Sequence, residues 1–131
     1  MPGRQILDAI GDTPLVRLQR AAPPGAATTV AKLELANPTG SMKDRMARAA
    51  IETAAADGEP DKVDEIIQVS TAEGQAMTRR LAREEAIFAG ASSGANVAAA
   101  VKVAQRLGPD AVVATIIVDS GMRYISTDLF R

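Results

Sequence analysis

The segment Asn37-Pro38-Thr39-Gly40-Ser41-Met42-Lys43-Asp44-Arg45 sets small hydrogen-bonding residues and a glycine before a run of helix formers, with a lysine in the first helical turn. A helix start leaves backbone N–H groups without intrahelical partners and carries the positive end of the helix dipole, so it favours an anion beside the Lys43 amine. An amine held this way suits Schiff-base chemistry with a carbonyl compound. A capped surface helix with a solvated lysine gives the same spacing, and both readings stand on the pattern alone. Ser92-Ser93-Gly94-Ala95-Asn96 is a second polar, glycine-containing helix start, whose hydroxyls could bond a heterocycle or simply cap the helix. Asp119-Ser120-Gly121-Met122-Arg123-Tyr124 follows an apolar run directly, where ligands lie in open α/β sheets; an ordinary turn reads the same.

Composition narrows the chemistry further. The 131 residues are 47% hydrophobic and 24% charged, which fits one domain spanning 1–131. With 26 alanines, two Phe, one Tyr and no Trp, the core must be built from Ala, Val, Ile and Leu. Zero Cys and zero His remove disulfides, thiolate sites, imidazole bases and the commonest metal ligand. Of the four lysines, Lys32 beside Glu34 and Lys102 in mid-helix read as structural, and Lys62 as exposed in a connector. A net charge of -1 gives no electrostatic reason to expect nucleic-acid binding. No apolar run approaches the roughly 18 residues of a membrane span, and Met1-Pro2-Gly3-Arg4 has no signal-peptide layout. The expectation is a soluble, cytoplasmic chain. No Walker loop, dinucleotide fingerprint or metal-ligand spacing is present.

The elements that would position these residues follow from pattern. A short helix is predicted over 5–10, strands over 15–18 and 28–35, and a helix over 42–56 ending at Asp57-Gly58. After the connector 59–62, Val63 to Val69 reads as a strand, and Ser70 with Glu73 fits a capping box opening a helix over 71–85, interrupted by Gly74. Ser92 to Asn96 opens an almost wholly apolar helix reaching Leu107, closed by Gly108-Pro109. Ala111 to Val118 has the continuous apolar pattern of a strand covered on both faces. The order predicts an α/β fold: a layered, largely parallel sheet of about four strands with three main helices.

Several segments taken in order resemble one family. Ile10-Gly11-Asp12-Thr13-Pro14-Leu15-Val16-Arg17-Leu18, Lys32-Leu33-Glu34 and the Asn37–Arg45 segment look like the start of the cysteine synthase (O-acetylserine sulfhydrylase) and cystathionine β-synthase family, pyridoxal-phosphate enzymes of fold type II. Ile87-Phe88-Ala89-Gly90-Ala91-Ser92-Ser93-Gly94-Ala95 and Asp119 to Thr127 resemble its C-terminal part, with Pro109 to Ala114 leaning towards the B-type cysteine synthases. The resemblance covers 5–58 and 63–130 and implies a truncated large domain of that fold. Family members are more than twice this long. Their middle, with the substrate-carboxylate loop, the glycine-rich phosphate loop and most of the small domain, has no counterpart here.

Residue by residue, the resemblance implies that Lys43 is the lysine that bonds pyridoxal 5'-phosphate. It also implies that Ser92, or in second place Ser93, bonds the pyridine nitrogen. The reaction implied is β-replacement, O-acetylserine and sulfide giving cysteine and acetate, with an amino acid as the small-molecule substrate. The other reading is a non-catalytic scaffold or interaction module, truncated naturally or by engineering. Its exposed apolar surface would drive self-association into a homo-oligomer. The chain departs from the family at Asp12 where Asn is usual, Met42 where Val or Ile is usual, and Ala86 where Gly is usual. If position 86 needs a positive φ, alanine there costs on the order of 1 kcal/mol.

Overall fold

The computed structural model describes residues 6–53 and 64–131. A 3-10 turn, Ile6–Ala9, replaces the predicted N-terminal helix and precedes strands β1 (Leu15–Arg17) and β2 (Thr28–Leu33). Helices α1 (Lys43–Thr53), α2 (Thr71–Glu84) and α3 (Ala91–Leu107) follow, then strand β3 (Val112–Ile117) and 3-10 turns at Gly121–Tyr124 and Asp128–Phe130. β2 is the central strand. It pairs antiparallel with β1, Val16 opposite Ala31, and parallel with β3, Thr28 opposite Val112 through Leu33 opposite Ile117.

The α/β layering and the three main helices agree with the sequence, while among the described residues the sheet is mixed and has three strands rather than four. Residues 64–70 form no strand, and Ile66 is 85% exposed. Apolar, β-favouring residues become a strand only where an edge accepts them. Here the segment lies against α3 instead: Glu65 pairs with Arg106 at 2.7 Å, and the Gln68 carbonyl accepts from Lys102 Nζ at 3.1 Å. Lys62, Val63 and the predicted end of the first long helix lie outside the described residues. No helix among the described residues is long and apolar enough to cross a membrane.

One face of the sheet packs under α2 and α3. Period-two alternation puts Thr29 and Ala31 of β2 into this layer, where Ala31 shares one buried cluster with Leu81 and Met77 of α2, Val97 and Ala98 of α3, and Ile117 of β3. The core is therefore small and aliphatic, as the composition requires. The opposite face is more open: Val112 and Ile116 of β3 stay 68% and 43% exposed. The predicted burial of both faces of that strand does not occur.

The capping box forms as predicted. Ser70 Oγ accepts from the Glu73 N–H at 3.2 Å, and Glu73 Oε2 accepts from the Ser70 N–H at 2.8 Å. Gly74, an interruption by propensity, is where α2 and α3 touch. A Cβ at Gly94 of α3 would lie 2.1 Å from both the Gly74 carbonyl and Thr78 Oγ1, so the helices meet through bare backbone. After α2 the chain reverses at Ala86, with φ 55. This is the left-handed conformation that glycine adopts at helix ends without steric cost.

Candidate functional site

The turn before α1 is held from within. Gly40, at φ 73, donates its N–H to the Asn37 carbonyl at 2.8 Å, and the Thr39 N–H donates to Asp44 Oδ2 at 2.8 Å. The Thr39 hydroxyl donates to the other Asp44 oxygen. Ser41 is buried, and its Oγ accepts from the Lys43 N–H at 3.2 Å. Lys43 thus begins α1 with its backbone fixed and its side chain exposed.

Beneath this turn, Glu34 and Arg45 brace α1 from the side. Glu34 is almost fully buried and accepts four hydrogen bonds. These come from Thr13 Oγ1 at 2.7 Å, Asn37 Nδ2 at 2.8 Å, Arg45 Nη2 at 2.8 Å and Arg45 Nε at 2.9 Å. The Arg45 guanidinium above all, with the Thr13 and Asn37 donors, outweighs burial and holds the Glu34 carboxyl down at about 2. The same pairing raises Arg45 above its ordinary value.

The end of β3 gathers the two predicted helix starts. Val118 carries both links: its carbonyl accepts from the Met42 N–H at 2.8 Å, and its N–H donates to Ser93 Oγ at 2.9 Å. Ser41 also forms a bridge with Asp119, and the Ser120 N–H donates to the Gly40 carbonyl at 3.1 Å. On the other side the Gly90 N–H donates to the Asp119 carbonyl at 3.1 Å. The lysine turn, the Ser92-Ser93 helix start and the Asp119 turn therefore meet at the carboxyl end of one strand, the position that open α/β sheets reserve for ligands.

The two serines part ways. α3 starts at Ala91 with Gly90 as its N-cap and no side-chain cap, so neither serine caps the helix. Ser93 is fully buried and turned to Val118, whereas Ser92 is exposed. Gly90 has no room for a side chain: a Cβ there would lie 2.2 Å from Asp119 Oδ1 and 2.5 Å from Tyr124 Cε2. Tyr124 donates its hydroxyl to Asp119 Oδ2 at 2.8 Å, and that bond together with burial pushes its pKa above the ordinary tyrosine value. Asp119 Oδ1 is buried and makes no hydrogen bond among the described residues.

Sequence reasoning did not single out Ser41, Glu34, or the Val118 peptide. Ser41 and Val118 act through contacts that local pattern does not encode. Glu34 follows directly on β2, and its partners Thr13 and Arg45 lie 21 and 11 residues away, so no local pattern marks it. Lys32 bonds the Thr13 carbonyl and Lys102 pairs with Glu73 at 2.8 Å, both structural roles as read from the sequence.

A family model described as pyridoxal-phosphate dependent enzyme matches residues 6–63 and 60–119. The chain is 51% identical over 70 residues to the probable cysteine synthase of Bacillus subtilis (strain 168), covering 53% of this chain and 22% of that protein. It is 47% identical over 68 residues to cysteine synthase B of Escherichia coli (strain K12), covering 52% of this chain and 22% of that one. The chain thus spans about a fifth of the length of these curated relatives. In fold it is similar to the O-acetylserine dependent cystathionine β-synthase from Helicobacter pylori, with a TM-score of 0.76 at 16% identity, covering 100% of each chain. A similar likeness holds for an O-ureido-L-serine synthase, with a TM-score of 0.74 at 17% identity, covering 95% of this chain and 94% of that one.

Proposed function

The chain belongs to the pyridoxal-phosphate dependent enzyme family, and from that membership we propose that the end of β3 serves as a cysteine synthase-type site. The reaction proposed is β-replacement, in which O-acetylserine and sulfide give cysteine and acetate, in a soluble cytoplasmic setting. The observation that carries the proposal is the double link at Val118, which brings the Lys43 and Ser92-Ser93 helix starts to one strand end.

The donor set fits the aldehyde and ring ends of pyridoxal 5'-phosphate: an exposed primary amine on α1 and an exposed hydroxyl on α3. The phosphate end finds less. The N–H groups of Met42, Lys43 and Asp44 already bond Val118, Ser41 Oγ and Ser41 O, and those of Ser93 and Gly94 bond the Gly90 carbonyl. Cofactor affinity therefore rests on Lys43 and the serines.

When bound, pyridoxal phosphate supplies an electron sink for the bonds at an amino acid's Cα. Lys43 Nζ would hold the aldehyde carbon and, once the substrate amine displaces it, take up the Cα proton. Ser92 Oγ, with Ser93 as the second choice, would meet the pyridine nitrogen as a neutral partner that does not protonate it. The Ser93–Val118 bond keeps the α3 start at the strand end. The test is cysteine formation from O-acetylserine, sulfide and pyridoxal phosphate. Turnover that disappears in Lys43→Ala supports the reading, and an equal rate in that variant overturns it.

The open sheet face favours a second reading, a non-catalytic module that self-associates through Leu15, Val112 and Ile116, all large, apolar and exposed. Light scattering that gives a monomer at all concentrations would exclude it.

A further inference from the structure

We propose that the cleft between the β1–β2 connection and helices α2 and α3 binds a small organic carboxylate, separately from Lys43. The cleft has a volume of about 670 Å³, within the range of roughly 300–1,000 Å³ usual for small-ligand sites. The site proposed around Lys43 contributes none of its lining.

Its wall is a braced loop. The Leu18 N–H donates to the Thr29 carbonyl at 2.9 Å, joining the two limbs of the loop, and the Ala27 N–H donates to the Ala104 carbonyl of α3 at 2.8 Å. On the α2 side, the N–H groups of Gln19, Arg20 and Ala21 all donate to the Glu85 carboxylate. Arg80 Nη2 donates to the Arg20 carbonyl at 2.9 Å. A cleft fixed from both helices loses little entropy on binding.

Its chemistry is one-sided. Arg17, Arg20 and Arg80 line it, and among the described residues no carboxylate does. The flanking acids are engaged: Glu84 pairs with Arg80 at 2.9 Å, and Glu85 is held by the three loop N–H groups. Among the described residues, the Arg20 side chain makes no hydrogen bond or ion pair, and Arg80 Nη1 makes none either. These planar donors match a carboxylate. Deeper in, Thr29 is 1% exposed, lines the cleft, and has a hydroxyl without a hydrogen-bond partner among the described residues. A buried hydroxyl left in this state costs free energy that a ligand acceptor would recover. The remaining wall is mainly alanine, proline and Val101. The ligand is therefore a monocarboxylate with a short apolar body and no ammonium group, since among the described residues no carboxylate lines the cleft.

The test is a ¹H–¹⁵N correlation titration of the full chain with butyrate, glycine and inorganic phosphate at constant ionic strength. The expected result is saturable shifts confined to residues 17–29, Arg80, Val101 and Gln105, with glycine at least tenfold weaker than butyrate. Arg20→Gln, a change at an exposed side chain, is expected to weaken butyrate at least fivefold, while Arg131→Gln leaves it unchanged. Thr29→Val is expected to weaken butyrate about threefold without lowering the thermal midpoint of the free protein, which a purely structural threonine would not do. Shifts that do not saturate, persist in Arg20→Gln, or appear as strongly with phosphate would overturn the proposal.

Discussion

Replacing Glu34 by glutamine should destabilise the protein in a way that depends on pH. The carboxyl sits at about 2 in the folded chain against an ordinary value of 4.5, and at 1.36 kcal/mol for each tenfold change this corresponds to roughly 3 kcal/mol at neutral pH. Its side chain is only 4% exposed, so little of this is screened by solvent. Because the folded value is lowered, the stabilisation is fully present above pH 4.5 and is lost as pH falls through about 2. Linkage puts about 2 kcal/mol of that loss already at pH 3. Glutamine cannot substitute, since its amide NH2 must face either Arg45 Nη2 or Arg45 Nε, and a guanidinium only donates. Urea unfolding followed by far-ultraviolet circular dichroism should show a gap between wild type and Glu34→Gln of roughly 3 kcal/mol at pH 7, narrowing to roughly 1 kcal/mol at pH 3. A gap that stays constant with pH would mean that shape rather than charge makes the site. A gap under about 0.5 kcal/mol at pH 7 would refute the buried pair as a brace of α1.

Two further changes probe the backbone. Ala86→Gly should raise stability by roughly 0.5–1 kcal/mol, because φ 55 suits glycine and strains alanine, and the thermal midpoint would register it. Gly94→Ala should destabilise by at least roughly 1–3 kcal/mol, since its methyl would lie 2.1 Å from two atoms of α2; a neutral result in urea unfolding would show that the helices can part without cost.

What the sequence made legible was mostly local. The capping box of α2 spans four residues, and the lysine turn is readable because Thr39 with Asp44, and Gly40 with Asn37, satisfy one another within a few positions. The aliphatic core followed from composition alone. The segment 64–70 was misread because its fate depends on whether a sheet edge receives it, and Arg106 and Lys102 of α3 hold it instead. Ser93 looked like a cap, yet its partner is Val118, 25 residues away. Gly74 looked like a flaw in a helix until α3 supplied the surface that needs it. The Thr13–Glu34–Arg45 cluster joins positions 21 and 11 residues apart, beyond the reach of any periodic pattern. The anchors of the site were thus visible as motifs, while the contacts that bring them together were tertiary.

The most direct measurement of the central claim is to titrate the purified chain with pyridoxal phosphate by visible absorbance, reduce it with borohydride and map the labelled lysine by mass spectrometry. The account predicts a saturable band, with the label on Lys43, lost in Lys43→Ala and weakened in Ser92→Ala. Equal labelling of Lys32, Lys43, Lys62 and Lys102, or a band that survives Lys43→Ala, would contradict it.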